Sequence, residues 1–377
     1  MLDPIVSFFI KIFQAIGKGI GLLVGVLLWP FMWLGRWYKS RGWILRAVLA
    51  ACLLVLFGLY ANFFYATQWW NGFDPDYPKS FNVSASNAAA GDPIGTGAEG
   101  STATTTQPTS CKQSAIADVS ADLVDFNVNR NAWISSMVVS KLGFFGIDWR
   151  NTPYFDNKAA FQLGINQVIR RTTTELVDTL GRVRGTSQID QNLQDARTAM
   201  AWNENAWYIG WRGPTRPTPS VYREGITKLR AFNESLAKCD ATFDARADNL
   251  MLFLDRIAGD IGSTSDILRQ RIAASDAGWL DFRADDRFWF AYGQLYAYYG
   301  ILTATRSDFA AIIAERNLTA LWTRMEQQLR ASLDVRPWII SNGSESSAFF
   351  PSHLATMGFN LLQVRSNIVE LRSVLDR

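Results

Sequence analysis

Residues 47–67, AVLAACLLVLFGLYANFFYAT, are 21 consecutive residues without a charge. An α-helix needs about 20 apolar residues to cross the hydrocarbon of a bilayer, where every backbone polar group must be satisfied within the segment. Asn62 is the one strongly polar side chain and lies near the end of the run. Arg36, Lys39, Arg41 and Arg46 precede it, and Trp69, Trp70, Asp74 and Asp76 follow it. Basic flanks stay in the cytoplasm, so the charges predict an inner N-terminal side and an outer position for everything from residue 68 onward. Trp43 and the Trp69/Trp70 pair then fall at the two interfaces. The run is too long for the apolar core of a cleaved signal peptide, and no clear small-residue cleavage site follows it.

A second apolar stretch covers residues 5–34. Lys11 and Lys18 share one helical face, and Phe9, Phe13, Ile16 and Ile20 share the opposite one, which fits a helix lying in the membrane surface. Residues 19–35 are also uncharged, so the same stretch fits a second span that forms a hairpin with residues 47–67 around the basic 36–46 loop. The sequence leaves both readings open. Pro30 predicts a break or kink. Gly17, Gly21 and Gly25 recur every fourth residue, a spacing that lets membrane helices approach closely, either with the neighbouring segment or with a second copy.

The formal net charge is +3, composed of +5 over residues 1–46, −3 over 47–110 and +1 over 111–377. The basic excess is local to the membrane end, so a nucleic-acid-binding face is set aside. One His and three Cys leave little vocabulary for zinc sites or His-based catalysis. No P-loop, dinucleotide fingerprint or Ser-His-Asp arrangement is visible, and no cofactor or metal is expected. Residues 84–110 are almost all small or polar and read as a tether. The expected organisation is a basic, glycine-rich interfacial or re-entrant segment (1–41), a transmembrane helix (42–67), a flexible linker (68–110) and a domain (111–377).

In that domain helical periodicity dominates. Leu354, Leu361, Ile368 and Leu375 repeat every seven residues, with Met357, Val364 and Leu371 between them, the seam of a bundle helix. Phe288, Leu295, Leu302 and Phe309, with Tyr292, Tyr299 and Ile313, suggest a second seam. A helix over 157–183 opens on Asp156 as its predicted N-cap. Further helices fit 115–140, 187–208, 220–237, 241–259, 264–275 and 317–333, with Gly262 among the breaks. The fold class is all-α: a membrane anchor followed by an extracytoplasmic helical bundle. Cys111 and Cys239 lie on the predicted outer, oxidising side and are expected to pair; closing so long a loop contributes about 5 kcal/mol on the chain-entropy model.

Three segments have chemical potential. Trp202, Trp207 and Trp211, with Asn203, Glu204 and Asn205, form a polar–aromatic patch suited to stacking on sugars, although core packing explains Trp residues equally simply. Asp281, Asp285 and Asp286 precede an aromatic run. They suit acid–base work or cation binding, but also helix capping with Arg283 and Arg287 as salt partners. His353 opens the last helix as a hydrogen-bonding terminal residue. The stretch from Ser344 through Glu345 to Pro351, with Gly358 and Gln363, resembles the glutamate motif of lytic transglycosylases. Only 32 residues follow Glu345, whereas that fold has most of its domain after the acid.

Phe155-Asp-Asn with Phe161-Gln-Leu-Gly, Arg283-Ala-Asp-Asp-Arg-Phe, Ser341-Asn-Gly-Ser, and His353-Leu-Ala-Thr-Met-Gly-Phe with Val369-Glu-Leu-Arg resemble an uncharacterised bacterial inner-membrane family, domain of unknown function 2333, over about residues 120–377. The resemblance implies an envelope protein of Gram-negative bacteria with one anchor and a helical periplasmic domain, and supplies no catalytic residues. The leading expectation is a membrane-anchored periplasmic scaffold, part of a larger assembly through a homo-oligomer or a membrane-protein partner. The alternative is a periplasmic enzyme or binding module for envelope glycans or lipids. That alternative requires a concave pocket joining the 202–211 patch to the Asp281–Asp286 cluster.

Overall fold

The computed structural model describes residues 3–80, 111–144, 146–149, 152–182, 189–210, 213–274, 281–344, 347 and 349–376. They form two compact units, Met1–Ala61 and Asn62–Arg377.

In the first unit, α1 (Asp3–Lys39) runs through Pro30 without ending, so of the expected break or kink the break is not made. A tight corner at residues 40–42 leads into α2 (Trp43–Gln68). Tyr38 donates to the Arg46 carbonyl at 3.1 Å, and the Arg41 guanidinium sits 4.8 Å above the Trp37 ring. Two segments, Gly17–Lys39 and Trp43–Gln68, are long and apolar enough to cross a membrane. Leu53, Leu54, Val55 and Phe57 are each at least 63% exposed, a surface suited to lipid rather than water. Gly17, Gly21 and Gly25 are exposed as well, and a Cβ on any of them would meet nothing within 4 Å. They do not pack on the neighbouring helix within this chain.

The second unit starts with the last turns of α2 and, among the described residues, is predominantly helical, with one short hairpin of two-residue strands. Its helices are α3 (Ala115–Asp125), α4 (Val138–Leu142), α5 (Asn157–Glu175), α6 (Gln191–Met200), α7 (Thr218–Ala237), α8 (Ala247–Ala274), α9 (Ala284–Asp308), α10 (Ala310–Glu315), α11 (Thr319–Ser332) and α12 (His353–Leu375). The hairpin pairs Ile209–Gly210 with Gly213–Pro214. One hydrophobic core joins these helices except α4.

The heptad residues of α12, from Leu354 to Leu375, are all buried. The expected seam of α9 is a correction in degree. Nineteen of its 25 residues are buried, including Ala291, Tyr296, Tyr298 and Ile301 off the seam. A helix buried all round has no single apolar stripe, and α9 is therefore the axis of the bundle. It lies against α5 through two glycines: a Cβ on Gly164 would collide with the Phe290 carbonyl, and one on Gly293 with the Phe161 carbonyl. Gln167 on α5 and Gln294 on α9 converge on the buried Asp260 of α8, which also accepts from the Tyr298 hydroxyl at 2.6 Å. Leu163 and Phe290, one turn earlier on each helix, line one cavity. The pairing advances in the same direction along both helices, so their N-termini lie at the same end.

Other boundaries also differ from the sequence reading. Helix α8 passes straight through Gly262, where the Arg365 side chain lies close enough that a Cβ would come within 3.1 Å of Nε. The expected 187–208 helix stops at Met200, and the 115–140 helix gives way to an irregular segment after Arg130. The linker expected from residue 68 is not free as far as residue 80. Trp70 lies 4.8 Å from Phe161 and 5.2 Å from Trp289, Tyr77 donates to the Tyr296 carbonyl at 2.8 Å, and Asp76 is clasped by Arg330 at 2.9 and 3.0 Å. Residues 81–110 lie outside the described residues.

Cys111 and Cys239 form a disulfide, with Cα atoms 5.5 Å apart, bridging 128 positions of sequence. It ties the entry of α3 to the end of α7. Beside it Asp308, at the end of α9, accepts from the Ser114 hydroxyl at 2.7 Å and the Ala115 and Ile116 amides at 2.8 and 3.0 Å. A carboxylate from another helix thus satisfies amides at the start of α3.

Candidate functional site

The chemistry gathers where α5 and α9 begin. Lys158, in the first turn of α5, is buried, and its ammonium donates to the Ala66 and Trp69 carbonyls at 2.7 and 2.6 Å. Those carbonyls belong to the last turn of α2 and its exit, where a cation complements the helix dipole. Burial lowers the Lys158 pKa to about 8. Gln68 donates to the Tyr154 carbonyl at 3.1 Å, and the Phe63 and Trp149 rings are 4.7 Å apart. The end of α2, from residue 62, is therefore built into the domain.

A cavity of about 980 Å³ opens next to this junction. Its apolar wall comes from Phe63, Trp149, Phe155, Leu163 and Phe290, and its polar wall from Asp156, Asp286, Arg283, Arg287 and Asn205. The size lies at the upper end of the range of about 300–1,000 Å³ typical of small-molecule clefts.

Asp156 occupies the N-cap position of α5, but its side chain makes no capping bond, in contrast to the sequence expectation. It is 3% exposed, lines the cavity, and neither carboxyl oxygen has a hydrogen-bond partner among the described residues. Burial, and then the nearby charges of Asp286 and Asp285, push its pKa far above the carboxylate range. Asp285, 4% exposed in the first turn of α9, is equally without a partner, and burial followed by the Asp286 charge raises it to about 8. Two helix N-termini converge here and would favour carboxylates; desolvation outweighs them. Burial therefore favours the protonated form of both carboxyls.

The acidic cluster divides. Asp281 is a structural residue: both its oxygens engage the Arg271 guanidinium, and it accepts from Asn342 at 2.7 Å. It is not among the cavity-lining residues, whereas Asp286 is. The expected capping of α9 by Asp285 is not made. Nor do Arg283 and Arg287 form ion pairs with these acids among the described residues; they are exposed and line the cavity.

Several described residues of the polar–aromatic patch make structural contacts. Glu204 pairs with Arg170 at 2.7 Å, and its carbonyl accepts from the Trp133 indole at 2.9 Å. Asn203 accepts from the Asn205 amide at 2.9 Å, closing a turn. Trp202 is 38% exposed, while the Trp207 indole nitrogen is buried without a partner among the described residues. Trp211 and Glu345 lie outside the described residues. Among the described residues of this segment, only Asn205 lines the cavity. His353 accepts the Ser341 amide at its Nδ1, 2.9 Å away, as a helix-terminal partner.

Sequence reading missed Asp156 and Lys158 as site residues. The available signal was the Phe155-Asp-Asn motif. Together with Arg283-Ala-Asp-Asp-Arg-Phe, it supplies five cavity-lining residues: Phe155, Asp156, Arg283, Asp286 and Arg287.

No curated protein and no solved structure matches the chain significantly. The family match is shorter than the 120–377 expected from the motifs and ends before the acidic cluster. The chain resembles the family described as an uncharacterized protein conserved in bacteria, domain of unknown function 2333, whose model matches residues 127–277.

Proposed function

We propose that the chain is a membrane-anchored binding protein of the bacterial envelope, with its helical domain on the outer side of the inner membrane. The cavity beside the end of α2 carries this reading. It joins Asn205 of the 202–211 segment to Asp286 of the acidic cluster, the pocket a binding module requires. The basic corner around Arg36, Lys39, Arg41 and Arg46 precedes α2 under either reading of α1, so the positive-inside rule favours an outer domain in both cases. The disulfide agrees with an oxidising compartment.

The test is native mass spectrometry of the full chain released from its own membranes, beside Ala159→Trp, which fills the cavity wall. The reading expects a small ligand retained by the wild type and lost from the variant. Ligand-free spectra from both proteins would contradict it.

A scaffold role is the second reading. The open glycine face of α1 and the 85% and 82% exposure of Trp338 and Phe349 favour it. It expects a crosslinked oligomer or partner that Gly21→Leu disrupts, and strict monomers would exclude it.

A further inference from the structure

We propose that the cavity binds the ammonium-phosphate headgroup of an aminophospholipid, with Asp156 accepting from the ammonium and Arg283 and Arg287 holding the phosphate. This deepens the binding-protein reading and rests on it.

The position comes first. Phe63 lies five residues before the end of α2, about 7.5 Å of helix, and is itself part of the cavity wall. Within the 47–67 span this puts Phe63 about 6 Å inside the outer end, so the cavity opens at the outer edge of the hydrocarbon, next to the headgroups. Its exposed rim carries Leu142, 55% exposed, and Ile147, 54% exposed, beside the exposed charges of Lys141 and Asp148. Trp69, at the exit of α2, is 60% exposed, the placement expected of an interfacial tryptophan. Exposed apolar side chains at the mouth of a charged cavity suit a ligand with a polar head and apolar tails.

The charges then select the head. Asp156 lines the cavity and is 3% exposed, and neither of its buried carboxyl oxygens has a partner among the described residues. A buried acceptor of this kind has an unfilled hydrogen-bonding requirement that a cationic donor meets. The exposed guanidiniums of Arg283 and Arg287, one turn apart at the start of α9, are forks suited to phosphate oxygens. A primary ammonium donates directly to a carboxylate, whereas a quaternary ammonium has no hydrogen to donate. Phosphoethanolamine lipids therefore fit better than choline lipids, and glycerol headgroups leave Asp156 without a cation. Because burial favours the protonated form of Asp156, binding the ammonium is coupled to release of its proton to solvent.

The experiment titrates the full-length protein in detergent micelles with short-chain phosphatidylethanolamine, phosphatidylcholine and phosphatidylglycerol, and with soluble phosphoethanolamine, read by native mass spectrometry. Wild type, Asp156→Asn and Ala159→Trp are compared, with far-ultraviolet circular dichroism as the folding control. The expected result is preferential ethanolamine-lipid binding, weakened about tenfold by Asp156→Asn and abolished by Ala159→Trp. Soluble phosphoethanolamine should bind more weakly than the lipid, because the exposed apolar side chains at the mouth contribute; equal binding overturns the assignment to a lipid. Equal affinity for the three lipids, unchanged in Asp156→Asn yet lost in Ala159→Trp, overturns the headgroup assignment and leaves the binding-protein reading standing. Failure of every ligand to bind the wild type overturns both.

Discussion

Replacing Asp285 by Asn should stabilise this protein, and the gain should depend on pH. Asp285 is buried at the start of α9 without a partner among the described residues, and burial raises its carboxyl from 3.8 to about 8. Unfolded, the same group ionises in the ordinary range. Holding its proton at pH 7 therefore costs the folded state at most about 4 kcal/mol. The group favours the fold fully below pH 3.8 and loses that contribution as pH rises to about 8. Asn has nearly the shape of the neutral acid and does not titrate, so the comparison isolates the proton. The variant should match the wild type near pH 4 and exceed it by about 1–4 kcal/mol at pH 8. Removing a negative neighbour should also let Asp156 ionise at lower pH. Urea unfolding of the full-length protein in detergent micelles, followed by tryptophan fluorescence between pH 4 and 8, measures this directly. A variant less stable than wild type, or a difference that does not vary with pH, would refute the argument that Asp285 is a buried neutral acid.

Three further outcomes follow from the packing. Cys111→Ser with Cys239→Ser should lower stability by about 5 kcal/mol on the chain-entropy model, measured by the same unfolding assay, since the bridge closes a loop of 128 positions. Lys158→Met should cost about 2–4 kcal/mol, because the Ala66 and Trp69 carbonyls lose a charged donor; protease cleavage after residue 61 should become faster. Gly293→Ala should cost about 1–3 kcal/mol in thermal unfolding, because the added Cβ meets the Phe161 backbone rather than a movable side chain.

Much of the architecture is legible because periodicity records burial. The α12 heptads and the 21-residue uncharged run state their environments directly, one facing a core and the other long enough for a bilayer. Helix α9 is harder to read, since a helix buried on every side has no contrasting face. Gly262 misleads because glycine signals a break locally, whereas here it makes room for Arg365 across a helix pair. The site is least legible. Phe63, Asp156, Asn205 and Arg283 are far apart in sequence and meet only through the α5–α9 packing. An Asp before a helix reads as an N-cap, and a Lys in a first turn reads as a solvated charge opposed by the dipole. Their actual surroundings, a cavity for Asp156 and the carbonyl end of α2 for Lys158, are tertiary facts.

The claim that this cavity is a binding site is tested most directly by a density map of the full chain extracted with its native lipids. The account predicts a bound molecule between Asp156 and the Arg283/Arg287 pair, with tails leaving past Leu142 and Ile147. A cavity closed by the protein's own side chains, with Asp156 paired to one of them, would contradict it.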